Sequence, residues 1–276
     1  MTEPPVRTRS QRQTGQDTWR SSQRSHYEVV LADENRARWR QEHRLVAFYE
    51  HRLMNSLYAI DSRLPLPVLE VGCGQGQNLL DFATKGEEGR LVGTDVTASG
   101  LQCARRLRRE RSRKSELDFV ESDASRLPFH DNTFRLVYGR DLLHHVTNPA
   151  EVLREMKRVV APGGTLAALE ANILHPQFLV AALAIPTERG LMRSNDSRLR
   201  KLFTALDLEG TALRGFEFFP RMILLGYSSP FRSAFSRISQ ENLSRFAKLE
   251  RLLESQRVLR SFSAYLLASG KKPGHG

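Results

Sequence analysis

The 276-residue chain is long enough for one large α/β domain or two small ones, and its 40% apolar and 26% charged residues are ordinary for a globular protein. Its net charge of +11 is not ordinary, and admits nucleic acid, anionic lipid or an acidic substrate as a partner. The two cysteines, Cys73 and Cys103, form no Cys-x-x-Cys pair, which argues against a cysteine zinc centre and a disulfide framework. With no apolar run of about 18 residues and no apolar leader core, the expected setting is the cytoplasm, with no integral membrane segment.

Residues 1–25 are rich in Arg, Ser, Gln and Thr and carry almost no large apolar side chains, so a disordered basic tail is expected. A basic amphipathic transit peptide is the weaker alternative. Over residues 26–64, Leu45, Val46, Phe48, Tyr49, Leu53 and Leu57 recur at helical spacing, which predicts one or two capping helices. Pro65 and Pro67 end that pattern. Residues 65–170 then alternate. Strands are expected at Val68–Val71, Arg90–Asp95, Leu117–Glu121, Phe134–Gly139 and Thr165–Glu170, with helices at Asn78–Lys85, Ala98–Arg113 and Pro149–Val160. The last helix should stop at the turn signal Pro162-Gly163-Gly164. Residues 171–276 read as the end of the sheet with helical insertions that form a substrate pocket. Helices are expected at Phe178–Ile185, Asp196–Leu206 and Glu241–Val258, with strands at Ala212–Phe219 and Phe262–Ala268. The Glu241–Val258 helix should bury Leu243, Phe246, Leu249, Leu252 and Leu253. Strands alternating with helices imply a parallel sheet covered on both faces. The run Arg105–Lys114, seven basic residues against Glu110, reads first as a solvated helix face and second as a binding patch.

Gly72, Gly74 and Gly76 form a loop between the first strand and its helix, where missing side chains and free helix N–H groups let a polar ligand approach. Their alternating spacing lacks the two-residue gap of the dinucleotide fingerprint. Glu70 precedes the loop. Asp95 ends the second strand, where a carboxylate can accept from both hydroxyls of a ribose. Asp123 follows the third strand and can accept from an adenine amino group. Each acid alone also suits a helix cap or a surface turn. Together they occupy the carboxyl ends of successive strands, the ligand-binding edge of an open α/β sheet.

On Leu69–Gly76, Val92–Asp95, Asp123–Phe129, Leu142–Val146 and Val159–Gly164 the chain resembles the class I S-adenosylmethionine-dependent methyltransferases, especially the ubiquinone/menaquinone-biosynthesis branch. The resemblance spans roughly residues 66–170. It implies a doubly wound, mostly parallel, seven-stranded Rossmann-like sheet with helices on both faces and added helices as a lid. It further implies S-adenosyl-L-methionine as cofactor, with Glu70, Gly72, Cys73, Gly74 and Gly76 along the methionine part. Asp95, with Val96 beside it, would take the ribose, Asp123 and Ala124 the adenine, and Arg140 a backbone contact.

Methyl transfer needs an aligned nucleophile and, for some acceptors, a base near the fourth-strand tip. His145 and His144 fall there, with His145 preferred, and Asp141 is a candidate for orienting a substrate. Either histidine also suits packing or capping. Glu170, Asn172 and His175 follow the fifth strand as substrate-binding candidates or as loop and cap residues. No sequence spacing points to a metal. The expected partner is a small-molecule acceptor methylated on O, N or C, and the expected state is monomer or homodimer. An RNA or protein methyltransferase is the alternative that the charge suggests, although nucleic acid is not favoured because aromatic residues do not interleave with the basic run. A non-catalytic cofactor-binding protein is the second alternative.

Overall fold

The computed structural model describes residues 9–33, 35, 38–39, 42–58, 67–84, 89–110, 116–219, 237–256 and 259–274, with side chains from Ser21 onward. The expected boundary at 64/65, the end of the basic run after Glu110 and residues 220–236 lie outside the described residues.

Seven strands form one sheet in the order β3-β2-β1-β4-β5-β7-β6. They are β1 (Val68–Val71), β2 (Arg90–Asp95), β3 (Glu116–Glu121), β4 (Phe134–Arg140), β5 (Val160–Ala171), β6 (Glu209–Phe216) and β7 (Tyr265–Lys271). β1 to β5 run parallel, and β7 lies antiparallel to both β5 and β6. The chain order reverses at β1, which opens a crevice at the carboxyl ends of β1 and β4. Helices α3 (Gln77–Thr84), α4 (Ala98–Arg109) and α5 (Pro149–Val159) make the crossovers. β1 is buried along its whole length, as a central strand covered on both faces must be. α5 starts where Asn148 accepts from the Glu151 N–H and Pro149 fixes the first turn. α4 buries Leu101, Cys103, Ala104 and Leu107 and exposes its arginines, so the described part of the basic run is a solvated face.

Three expectations change. The disordered tail is not supported from residue 9 onward: α1 (Arg9–Ala32) is one helix that runs through the expected boundary at residue 25. It lacks an apolar stripe, and from Gln23 onward it is tied down by polar bonds to the edge of the sheet, which an apolar-periodicity argument does not register. The Pro162-Gly163-Gly164 segment is not a loop between helix and strand. β5 begins directly at Val160, and the register against β4 slips between Val160 and Thr165, so the segment is a bulge inside the strand. In α8 (Gln240–Ser255), Leu249 and Leu252 are exposed and Glu250 is buried. Glu250 accepts from the Tyr49 hydroxyl and from the Phe218 and Phe219 N–H groups, donors that need an acceptor as the chain leaves β6.

The rest of the roof follows β5. It comprises α6 (Pro176–Ala184), a 3-10 helix (Pro186–Arg193) and α7 (Asp196–Thr204). α2 (Arg44–Tyr58) packs Leu45, Val46 and Tyr49 against Ile238 and Leu243. No described helix is long and apolar enough to cross a membrane.

Candidate functional site

The glycine loop holds a left-handed backbone, with φ of +75° at Gly72, +50° at Gly74 and +69° at Gly76. A Cβ on Gly76 would stand 2.6 Å from the Phe119 ring. The Gly72 and Cys73 N–H groups donate to the Thr94 carbonyl, which locks the loop onto the end of β2. Asp95, 9% exposed, is fixed in the same way. Its Oδ2 accepts from the Gly74 N–H at 2.8 Å, and its Oδ1 accepts from the Thr97 N–H and hydroxyl. Burial pushes the Cys73 thiol well above its ordinary pKa, consistent with a small packed residue in the turn.

Glu70 is 1% exposed, and burial raises its pKa to about 7 against the opposing pull of Asn78, the Tyr138 hydroxyl and Arg140. Oε1 accepts from Asn78 Nδ2 at 2.5 Å, while Oε2 makes no hydrogen bond. Asn78 Oδ1 in turn accepts from Arg140 Nη1, which is 2.5 Å from Glu50 on α2. The Arg140 side chain is therefore held by the fold.

Asp123 and Ala124 stand at the end of β3. Asp123 is exposed and accepts from the Ser125 N–H and hydroxyl, so it caps its own turn. Val96 is 39% exposed beside Asp95. The Ser122 N–H donates to the Asp95 carbonyl and brings the two strand ends together.

The β4 end holds the histidines. His144 Nδ1 lies 2.7 Å from Glu170 Oε2, while Glu170 Oε1 accepts from the Leu142 and Leu143 N–H groups. Glu170 thus organises the turn from below. Burial lowers the His144 pKa, but Glu170 overrides it and the net shift is upward. The adjacent His145 is shifted well down by burial and by His144 and His26. Two neighbouring imidazoles are thereby driven apart, one toward imidazolium and one held neutral. Asp141 has φ +50°, and its carboxylate lies 3.5 Å from Arg140 Nε and from the Tyr265 hydroxyl. Burial raises its pKa against Arg140 and His144.

The α1 roof supplies residues that the sequence alone did not single out. The Tyr27 hydroxyl donates to Glu188 Oε1 at 2.7 Å and lies 3.2 Å from His145 Nε2. Glu28 accepts from the Ala98 and Ser99 N–H groups at the start of α4, and Gln75 Nε2 donates to the Leu31 and Asp33 carbonyls. Arg24 pairs with Glu121 at 2.7 Å. α1 therefore lies across the ends of β3, β2 and β4. His144, His145 and Glu188 hold ligand-type atoms within 4.8 Å of one another, and the Tyr27 hydroxyl joins His145 to Glu188 by hydrogen bonds. Asn172 and His175 are structural. Asn172 is fully buried and donates to the Ser261 and Ser263 carbonyls, and His175 caps α6.

The cradle fits a compact cationic ligand. The unbonded Glu70 oxygen suits an ammonium, and the fixed Asp95 carboxylate ends the neighbouring strand.

Residues 69–168 match the family described as "Methyltransferase domain". The chain is 35% identical over 130 residues to a ubiquinone/menaquinone biosynthesis C-methyltransferase of Idiomarina loihiensis, covering 46% of this chain and 51% of the relative. It thus spans about half the length of that relative. A methyltransferase from Thermotoga maritima, titled S-adenosylmethionine-dependent, superposes with a TM-score of 0.60 at 14% identity, covering 91% of this chain and 99% of that one. The 4+2 cyclase SpnF superposes with a TM-score of 0.54 at 21% identity, covering 75% and 74%. These two likenesses speak to the fold alone. Residues 69–168 are thus similar to methyltransferase domains, among them that of a ubiquinone/menaquinone biosynthesis C-methyltransferase.

Proposed function

We propose that this chain is an S-adenosylmethionine-dependent methyltransferase acting on a small-molecule acceptor. The observation that carries the reading is Asp95: a buried carboxylate held by the glycine loop and Thr97 at the end of β2, next to Glu70 and its unbonded oxygen. Glu70 and the loop would hold the methionine part, Asp95 the ribose, and Asp123 with Ala124 the adenine. The bound sulfonium supplies the activated methyl group. The chain supplies alignment, water exclusion and proton removal. α1 covers the strand ends, so the crevice is closed from solvent on that side. His145 is the proposed base: it stays neutral at pH 7 and its Nε2 faces the Tyr27 hydroxyl. His144, clamped by Glu170, holds the turn that presents it, and Asp141 helps to shape that wall.

An acceptor of the quinone-precursor type is the first to test, because the relative's name states that chemistry. The domain division follows the same reading: a cap before residue 65, a cofactor core to residue 170, and an acceptor-side roof after it.

Calorimetry with S-adenosylhomocysteine on wild type and Asp95→Ala tests the cofactor assignment. A loss of at least about tenfold in affinity is expected, since a buried hydroxyl pair loses its acceptor. Unchanged affinity sinks it. Labelled methyl transfer to a quinone precursor, compared with total RNA, separates the small-molecule reading from the RNA reading.

A further inference from the structure

Beyond the cofactor crevice, the turn Leu143–Val146 and the roof border a small, solvent-open cleft of about 30 Å³. Leu143, Val146, Leu199 and Leu202 give it an apolar lining. Arg193, at the end of the 3-10 helix, and Arg198, in the first turn of α7, line it as well. Gly190 makes this cleft possible. A Cβ there would stand 1.8 Å from the His144 carbonyl oxygen, so only glycine lets the 3-10 helix press against the histidine turn.

The two guanidiniums are unusual in their surroundings. The nearby acids are already committed: Glu170 to His144 and two backbone N–H groups, Glu188 to Tyr27, and Asp196 to Arg200 through two bonds. Neither Arg193 nor Arg198 makes a side-chain hydrogen bond or ion pair among the described residues. Arg198 is partly buried, and both burial and the charge of Arg193 lower its pKa. Two like charges brought together in a partly desolvated cleft without a counter-ion are mutually destabilising, and an anion relieves that cost. Guanidinium forks match carboxylate and phosphate oxygens in pairs.

We propose that this cleft receives an oxyanion, carboxylate or phosphate, carried by the methyl acceptor and held by Arg193 and Arg198. The anion site stands on the cleft itself, while its assignment to the acceptor rests on the methyltransferase reading above. The apolar lining residues then meet the part of the acceptor next to the anion, while the rest of the molecule extends beyond the cleft. Acceptors of this class are acidic, in keeping with a chain of net charge +11.

The test titrates the full chain with inorganic phosphate and, separately, with benzoate at constant ionic strength, read by calorimetry. Saturable binding of at least one probe is expected, weakened at least about tenfold in Arg193→Gln/Arg198→Gln. S-adenosylhomocysteine affinity, measured on the same samples, should not change. Arg193→Gln alone, at an exposed position, keeps the test decisive if the double variant does not fold, and should show an intermediate loss. Arg198→Lys should recover only part of the affinity, because an ammonium lacks the fork. Phosphate alone or benzoate alone binding names the anion. Equal affinity in wild type and variants, or no saturable binding of either probe, overturns the proposal. Failure of the methyltransferase reading would show instead as absent S-adenosylhomocysteine binding in wild type, with the anion titration unaffected.

Discussion

The two halves of the crevice are built differently. On the β1–β3 side the bonds within the cradle itself are short in sequence and rely on backbone: Gly74 to Asp95 across 21 residues and Thr97 to Asp95 across two. Long-range bonds there come from the covering α1, as between Glu28 and Ala98 across 70 residues. On the β4–β5 side the bonds are long and made by side chains: Tyr27 to His145 across 118 residues and Tyr27 to Glu188 across 161. The first half lies wholly inside the family match at residues 69–168, whereas Tyr27, Glu170 and Glu188 lie outside it. A cofactor common to a family needs one local cradle. An acceptor peculiar to one protein is met by segments brought in from elsewhere.

His145→Ala strikes the distal half and should have the largest effect. Turnover is expected to fall about 10²- to 10⁴-fold, the usual worth of a positioned base, while S-adenosylhomocysteine affinity stays within about twofold. A parallel loss of both quantities breaks the division between the halves. His144→Ala behaves differently, because it leaves the Glu170 carboxylate buried without its cationic partner. It should lower the melting temperature first, and activity only with it.

The same division explains what could be read from the chain. β1 to β4 and the loop were legible because their signals are local: an apolar run, three glycines, an acid at each strand end. The parallel part of the sheet followed from the alternation of strands and helices, whereas the insertion of antiparallel β7 between β5 and β6 did not. The roof was not legible. α1 has no apolar stripe, since what holds it is Gln23, Arg24, Tyr27 and Glu28 bonding to strand ends and helix N-termini. A tail rich in Arg, Ser and Gln looks the same whether those groups meet water or protein. Glu250 misled in the opposite sense: a charged residue inside an apolar pattern reads as exposed unless the unpaired N–H groups of Phe218 and Phe219 are known. His144 and His145 were found, but what drives their pKa values apart, chiefly Glu170, is set by a strand pairing that sequence spacing does not show.

Gly76→Ala tests the local half through its backbone. The substitution forces an L residue to φ +69° and drives a methyl to 2.6 Å from Phe119. A loss of about 2–4 kcal/mol in urea unfolding is expected, left-handed strain plus overpacking. Gly163→Ala is the control: its φ is +70°, but nothing lies within 4 Å, so only the strain of about 1–2 kcal/mol remains. Equal losses at the two sites would mean that Phe119 yields at no cost and that the loop is softer than its packing suggests.

The smallest effect concerns pH, and it links the two halves through Arg140. Glu70 titrates near 7 in the folded chain because burial disfavours its charged form, against an ordinary value of 4.5. With the folded pKa raised, the folded state holds a proton that the unfolded state releases. Its contribution is fully present below about pH 4.5 and declines as pH rises through 7, on the order of 3 kcal/mol in all. A cationic ligand beside Glu70 reverses the preference and favours the carboxylate. S-adenosylmethionine affinity should therefore climb as pH rises from 6 to 8, by no more than tenfold per pH unit, and level off above Glu70's pKa. Glu70→Gln keeps the bond to Asn78 but cannot titrate, so both trends should flatten: stability should no longer fall between pH 5 and 8, and affinity should stay at its low-pH level. If the affinity slope survives in Glu70→Gln, the titrating group lies elsewhere. The clamp Glu50–Arg140–Asn78 would then hold the loop's shape without tuning its charge.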